Sequence, residues 1–418
     1  MANGIQSFQD FLKSLSSEKP ETLIGKPNSQ VESTEAFEAM RQYVLNRYQG
    51  VEARHTFLDS GEQIIDCIPI EQQPSLRGSG KPIATPPTPP QSQLPSYPAP
   101  DFDKRQRTTP PPQLSPDAKD KFGNQMWCPA GTIPIPRLTL DQLSRFKNLH
   151  DFFQKAPGGG RLPTGIKGRS KSFSLEAAHK YAHALQFVGN VGGTSALNVW
   201  KPSIGPNQVF ALSQHWYVGG SGAGLQTAEC GWQVYPQKYN TDKPCLFIYW
   251  TADEYQNTGC YNNDCSAFVQ TDSTTVLGGT LAFSTPGPST QFEYTLGFYF
   301  SAGNWWFYLN NQPVGYYPGS IYQGGPLSVG NATEIDFGGE TVGNGTWPPM
   351  GSGAFASGGF GQAAYQRAIQ YFPPAGGVAN ASLSMQQPSP LCYTIQVSSS
   401  ADAWGTYFFF GGTGGMNC

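Results

Sequence analysis

The stretch FEYTLGFYFSAGNWWFYLNNQPVGYYP, residues 292–318, decides the fold class. Its three apolar runs are rich in aromatic residues and are separated by Ser-Ala-Gly-Asn and Asn-Asn-Gln. Short runs of that kind bounded by turn residues read as strands. Working outward, the same grammar recurs in TSALNVWK, QVFALSQHWYV, TAECGWQVYP, CLFIYWTA and SAFVQT, and later in TEIDFGG, YQRAIQYF, YTIQVSS and WGTYFFFGG. Several alternate with a period of two, as half-buried antiparallel strands do. So many strands with almost no helical pattern predict a sandwich or a barrel from about residue 171 onward.

The N-terminal part has a different character. Phe8, Phe11, Leu12 and Leu15 are spaced as on a helix, and a second helix is expected over residues 33–48, with Thr34 as its cap. RHTFLDSGEQIIDCIPI reads as two short strands turning at Ser60-Gly61, which completes a small α+β unit over residues 1–75. Residues 76–125 form a proline-rich linker that favours extended polyproline II. Structure resumes over 126–170, where MWCPAGTIPIPR is extended and LTLDQLSRFKNLHDFFQKA helical. The basic, glycine-rich GGGRLPTGIKGRSKS (158–172) reads as a second linker and a processing site before the β domain of 171–418.

Composition narrows the function classes. Gly 49, Pro 36 and 13% aromatic residues suit a packed β protein with many turns. From residue 201 onward only Lys201, Lys238, Lys243 and Arg367 oppose 11 acids, so this part carries −7 within a total of −3. Nucleic acid is therefore not an expected partner, because phosphate binding needs clustered cations. No apolar run of about 18 residues predicts a membrane span. The eight cysteines, with no CxxC pair, read as disulfides, and spacing suggests Cys67–Cys128, Cys230–Cys245, Cys260–Cys265 and Cys392–Cys418. Disulfides imply an oxidising, extracellular setting, although MANGIQSFQDFLKSLSSEK contains no apolar signal-peptide core. Asn331, Asn344 and Asn380 each begin an N-glycosylation sequon.

Read together, LNVWKP, FALSQHWYVGG, AECGWQVYP, YWTADEYQNTGCYNNDCSAFVQ, IDFGGE, MGSG and WGTYFFFGG closely resemble the neprosin domain, in order and spacing. IIDCIPI and WCPAGTIPIPR resemble that family's activation-peptide region. The resemblance implies a glutamic endopeptidase that cleaves next to proline at acidic pH. It implies synthesis as a zymogen inhibited by its own pro-domain, and two packed, curved antiparallel sheets. The catalytic glutamates it implies are Glu229 and Glu340. Three positions depart from the common pattern: Cys230 and Glu254 stand where smaller residues are usual, and Asp336 where Glu is frequent.

The residues themselves fit this chemistry. Two carboxyl groups in different protonation states can activate a water and protonate a leaving amine, with no metal or cofactor. Strand alternation puts Glu229, Gly231, Gln233 and Tyr235 on one face, where Gln233 is placed to serve an oxyanion and Tyr235 to line the cleft. Asp336 and Glu334 are rivals of Glu340. His179 and His183 have zinc-pair spacing but no third ligand or HExxH glutamate, so they read as packing or surface histidines. Ser213 and His215 lack a nucleophile elbow. Tyr249, Trp250, Trp305, Trp306, Tyr316 and Tyr317 read mostly as core, with a minority placed to stack on proline rings. The alternatives are a β-sandwich glycoside hydrolase using two carboxylates and a non-catalytic carbohydrate-binding module.

Overall fold

The computed structural model describes every residue except 1–3, 81, 93, 95–107, 156–177, 388 and 417. Two antiparallel sheets form a sandwich, and the N-terminal segment packs on the outer surface of one of them. The site-bearing sheet runs in the order Ser384–Gln386, Ala178–Asn190, Ala332–Gly343, Gln208–Gly219, Gln226–Val234, Cys245–Thr251, Cys260–Tyr261. The second runs Val269–Gln270, Gln312–Pro318, Asn304–Leu309, Glu293–Ser301, Gly192–Asn198, Ala364–Tyr371, Thr406–Gly411, Thr394–Ser399, with Ala379–Asn380 added beside Ala364–Tyr371.

Period-two alternation sorts each strand between two cores. On Gln208–Gly219, Leu212 and Trp216 join the N-terminal segment, while Tyr217 enters the core between the sheets. Trp250, Trp305 and Tyr317 also lie between the sheets, Tyr249 faces the N-terminal segment, and Trp306 and Tyr316 sit on the outer face of the second sheet. The inner faces include a buried polar link: Ser195 Oγ meets His215 Nε2 at 2.7 Å, and Gln366 Nε2 donates to Ser213 Oγ at 2.9 Å. Burial pushes the His215 imidazole down to about 3, so it stays neutral and serves as a cross-sheet hydrogen-bonding group. His215 and Ser213 thus bond to different residues of the second sheet and not to each other as a nucleophile and its base.

In the N-terminal segment, Phe8–Ser17 and Thr34–Tyr48 are helices. Ser33, not Thr34, is the cap of the second, accepting from Ala36 N at 3.1 Å. His55–Leu58, Ile64–Pro69 and Thr132–Pro136 make a three-stranded antiparallel sheet. The helix expected across 138–156 divides into Leu140–Leu143 and Leu149–Phe153, each with its own cap, Thr139 and Asn148. Between them the carbonyls of Ser144 and Lys147 accept from Gln30 N and Glu32 N, so backbone pairing with another segment replaces the helical ladder. The expected processing stretch at 158–172 lies outside the described residues.

Three expected disulfides are present: Cys67–Cys128, Cys260–Cys265 and Cys392–Cys418. The fourth is not. Cys230 and Cys245 are buried free thiols. They are on adjacent strands, but Cys230 faces Ile248 and Cys245 faces Gln233, three positions apart in the ladder. An odd offset puts the side chains on opposite faces, Cys230 between the sheets and Cys245 toward the N-terminal segment. Alkylation of the denatured, unreduced protein should therefore label Cys230 and Cys245 and no other cysteine. Mass spectrometry showing neither labelled would contradict this pairing.

Candidate active site

Glu229 and Glu340 come from strands separated by Gln208–Gly219. Glu229 is opposite Trp216, whose other neighbour is Asp336; Glu340 is opposite Leu212, whose other neighbour is Gln233. The two glutamates therefore sit diagonally, with one intervening row holding Gly338, Gln214 and Gly231. The two glycines of that row let the neighbouring strand backbones lie close against them. A Cβ on Gly231 would meet Ser213 O at 2.0 Å, and one on Gly338, at φ +156, would meet Ala182 O and His183 Cα at 2.5 Å.

One cation spans this gap. Lys155 Nζ lies 2.7 Å from Glu229 Oε2 and 2.9 Å from Glu340 Oε2, and all three side chains are at most 1% exposed. The ammonium is also 5.0 Å from the centre of the Trp216 ring and 5.8 Å from that of Tyr255. Nothing in its sequence context marks Lys155, which follows a short aromatic helix far from either glutamate. Its place is set by the cleft's hydrogen bonds to the chain around it. Tyr261 donates to Lys155 O at 2.7 Å, Tyr249 to Phe153 O at 3.2 Å, and Lys238 Nζ to Phe152 O at 3.0 Å. Lys238 also caps the face of the Phe152 ring at 3.3 Å and pairs with Asp264 at 2.7 Å.

Each glutamate has further partners. Tyr255 and Thr227 donate hydroxyls to Glu229 Oε1 at 2.6 and 2.8 Å. His179 Nδ1 is 2.5 Å from Glu340 Oε1, and Gln214 Nε2 reaches Glu340 Oε2 at 3.4 Å. Burial alone would raise the Glu340 carboxyl, but Lys155 and His179 outweigh it and hold the group below the usual range. Burial likewise opposes the Lys155 charge, yet Glu229 and Glu340 together raise its pKa. In the cleft wall, Trp216 Nε1 and Gln214 Oε1 are buried without a hydrogen-bond partner among the described residues.

The remaining sequence candidates lie close by but are bonded elsewhere. Gln233 Nε2 donates to Tyr261 Oη at 3.1 Å, so its amide supports the tyrosine that holds Lys155 O. Tyr235 packs against Phe146 and Phe210. Asp336 is bonded to His183 Nδ1 at 2.8 Å, and burial still raises its carboxyl; Glu334 beside it is pushed up to about 8 by burial and then by Asp336. His179 and His183 are thus cleft residues on Ala178–Asn190, where a spacing of four keeps both on one face just as on a helix. Reading that segment as a strand puts His179 and His183 on one face, and its pairing with Ala332–Gly343 then brings His179 to Glu340.

A family model described as Neprosin matches residues 207–413. This chain belongs to the neprosin family. Both glutamates fall inside the matched neprosin residues, whereas Lys155 and His179 precede them. Among solved structures, the neprosin chain is similar to scytalido-glutamic peptidase with a transition state analog inhibitor, at 10% identity and a TM-score of 0.33, covering 57% of this chain and 100% of that one. It is also similar to SCP-B, a member of the Eqolisin family of peptidases in complex with the tripeptide Ala-Ile-His, at 11% identity and a TM-score of 0.29, covering 57% and 100%. A sheep galectin-11 complex with glycerol matches at 14% identity and a TM-score of 0.21, over 38% and 90%.

The ion triad predicts a reversal of pH dependence. Glu340 has a depressed folded pKa, so its contribution is present above the ordinary carboxylate range and lost as pH falls through the lower value. Lys155→Met leaves two buried carboxylates without their cation, a loss of about 3–5 kcal/mol near neutrality. Acidification neutralises those carboxylates and relieves the variant. The gap in melting temperature between wild type and Lys155→Met should therefore be wide at pH 7 and narrow by pH 4. A gap independent of pH would remove the ion triad from the account.

Proposed function

We propose that this chain is a glutamic endopeptidase, held latent by its N-terminal segment and acting at acidic pH on proline-containing polypeptides. The observation that carries this reading is the pair Glu229 and Glu340 held on Lys155, in a cleft filled by the chain's own residues 152–155. Paired carboxylates also serve glycoside hydrolysis. Here the cleft's donors take the carbonyls of a polypeptide, which favours a peptide substrate.

Latency and activation follow from the same charges. At neutral pH the lysine sits where a scissile peptide would lie and neutralises both carboxylates in part. Acid protonates the glutamates, leaving a buried ammonium without counter-ions, which strongly destabilises the docked segment. Its departure brings two carboxyl groups together without a cation, and like charges at that range share a proton. Glu340 keeps His179 beside it, which favours its ionised form and the role of general base toward water. Glu229, bonded only to neutral hydroxyls, takes the proton and the role of acid toward the leaving nitrogen. Trp216 Nε1 is a buried donor in the cleft wall suited to the oxyanion. Vacating Lys155 also frees the faces of Trp216 and Tyr255, apolar surfaces on which a proline ring can stack.

The three disulfides suit an extracellular setting, and among the described residues no helix is long and apolar enough to cross a membrane. The decisive experiment is digestion of a mixed peptide library between pH 3 and 7, read by mass spectrometry. Acid-treated wild type should cleave beside proline below about pH 5, and Glu229→Gln and Glu340→Gln should each lose at least about 100-fold. An inert wild type, or full activity in either variant, would overturn the assignment.

A further inference from the structure

A second surface is covered by the N-terminal segment, on the opposite side of the sandwich from the glutamates. The described linker residues 82–92 run across the outer face of the second sheet, the face carrying Trp306, Tyr308 and Tyr316. Ala84 N donates to Tyr316 Oη at 3.2 Å, and Tyr308 Oη donates to the carbonyl of Pro87. Trp306 is wholly buried on this face, with Tyr308 at 7% and Tyr316 at 5% exposure. Along the strap, Ala84, Pro87, Pro89 and Pro90 are half-buried, while Pro82, Ile83, Thr85, Pro86, Thr88, Gln91 and Ser92 are exposed. Ala84, Pro87 and Pro90 recur at the three-residue period of polyproline II, with Pro89 beside the last of them also against the protein. From Ala84 to Pro90 such a helix spans about 19 Å at 3.1 Å per residue, enough to cross about four strands spaced 4.8 Å apart.

The trough is larger than the strap that lies in it. Beyond Pro87 the strap adjoins a cavity of about 490 Å³ lined by Thr194, Ala196, Thr295 and Gly297. The side chains on this floor are small, and at Gly297 the backbone of Gly193 lies too close for any Cβ, at 2.0 Å. Aromatic walls with hydroxyl donors, beside a shallow floor, suit proline rings and the unpaired carbonyls of a polyproline II chain. The strap also belongs covalently to the N-terminal segment, because Cys67–Cys128 closes the loop that contains it. Cleavage beyond Lys155 and loss of that segment would therefore uncover both the glutamate cleft and this trough.

We propose that the Trp306–Tyr308–Tyr316 face is a binding site for polyproline II segments, occupied by residues 82–92 in the latent chain and by proline-rich stretches of the substrate after release. The substrate half of this statement rests on the endopeptidase reading; the binding half does not. The test uses the full chain carrying Glu229→Gln, so that no catalysis is involved. Pro86→Gly, Pro87→Gly, Pro89→Gly and Pro90→Gly together loosen the strap, and a fluorescent peptide of residues 82–92 is titrated by polarisation. The loosened chain should bind it saturably and at least tenfold more tightly than the chain with its own strap intact. Adding Tyr308→Phe, which keeps the ring, should weaken binding at least threefold, and a peptide with Ser for Pro should not bind. No saturable binding to the loosened chain, or binding indifferent to both Tyr308→Phe and the loss of proline, would overturn the proposal. In acid-activated protein with intact glutamates, Tyr308→Phe should raise KM for a long proline-rich polypeptide severalfold while leaving a short peptide's kcat and KM unchanged. Equal KM values would overturn the substrate half. Absence of all peptide cleavage with binding retained would instead remove the endopeptidase reading and leave the trough standing.

Discussion

One buried ammonium between two buried carboxylates governs much of this architecture. Lys155, Glu229 and Glu340 are almost completely shielded from water, and charges in such a setting are strongly unfavourable unless paired and hydrogen-bonded. The protein supplies the remaining bonds from several strands: hydroxyls of Tyr255 and Thr227, the imidazole of His179, the amide of Gln214 and the phenol of Tyr261. Two glycines in the row between the glutamates let the adjoining strands pack closely there. Removing the lysine changes the preferred proton count of the pair, which is why one contact can link docking to acidity.

The sandwich divides its labour by face. Between the sheets, aromatic residues surround a fully buried link of Ser195, His215, Gln366 and Ser213, with the imidazole kept neutral. On the outer surface of the site-bearing sheet, an apolar, aromatic face packed against the N-terminal segment surrounds the buried titratable cluster of Glu229, Glu340 and His179. On the outer surface of the second sheet, an aromatic and small-residue trough carries the proline-rich strap. The Cys67–Cys128 bridge joins the two coverings into one loop. A segment fastened at both surfaces resists partial detachment better than either contact alone, because each holds the other at high effective concentration.

Much of the β domain is legible locally. FEYTLGFYF alternates and CLFIYWTA is a short continuous apolar run, both bounded by turn residues, so strand positions follow without tertiary knowledge. The segment Ala178–Asn190 is the informative miss. His179 and His183 were read for zinc spacing, but a spacing of four selects one face on a helix and on a strand alike. Cys230 and Cys245 fail for a related reason: proximity in sequence says nothing of which face each thiol occupies, and the ladder register puts them on opposite sides. Lys155 is illegible in principle from local pattern, since nothing around it differs from an exposed lysine at a helix end.

The sequence by itself determined the sheet-rich class and the family words that point to Glu229 and Glu340, and it offered four cysteine pairings of which the fold keeps three. These depend on side-chain period and on motifs, both of which are local. Only the tertiary structure decided that one lysine bridges the two glutamates, that His179 joins them, and that the proline-rich linker lies in an aromatic trough. Those relations arise from strand order and register, which bring distant residues onto one face. A chain has no local signal for which of its lysines will lose its water.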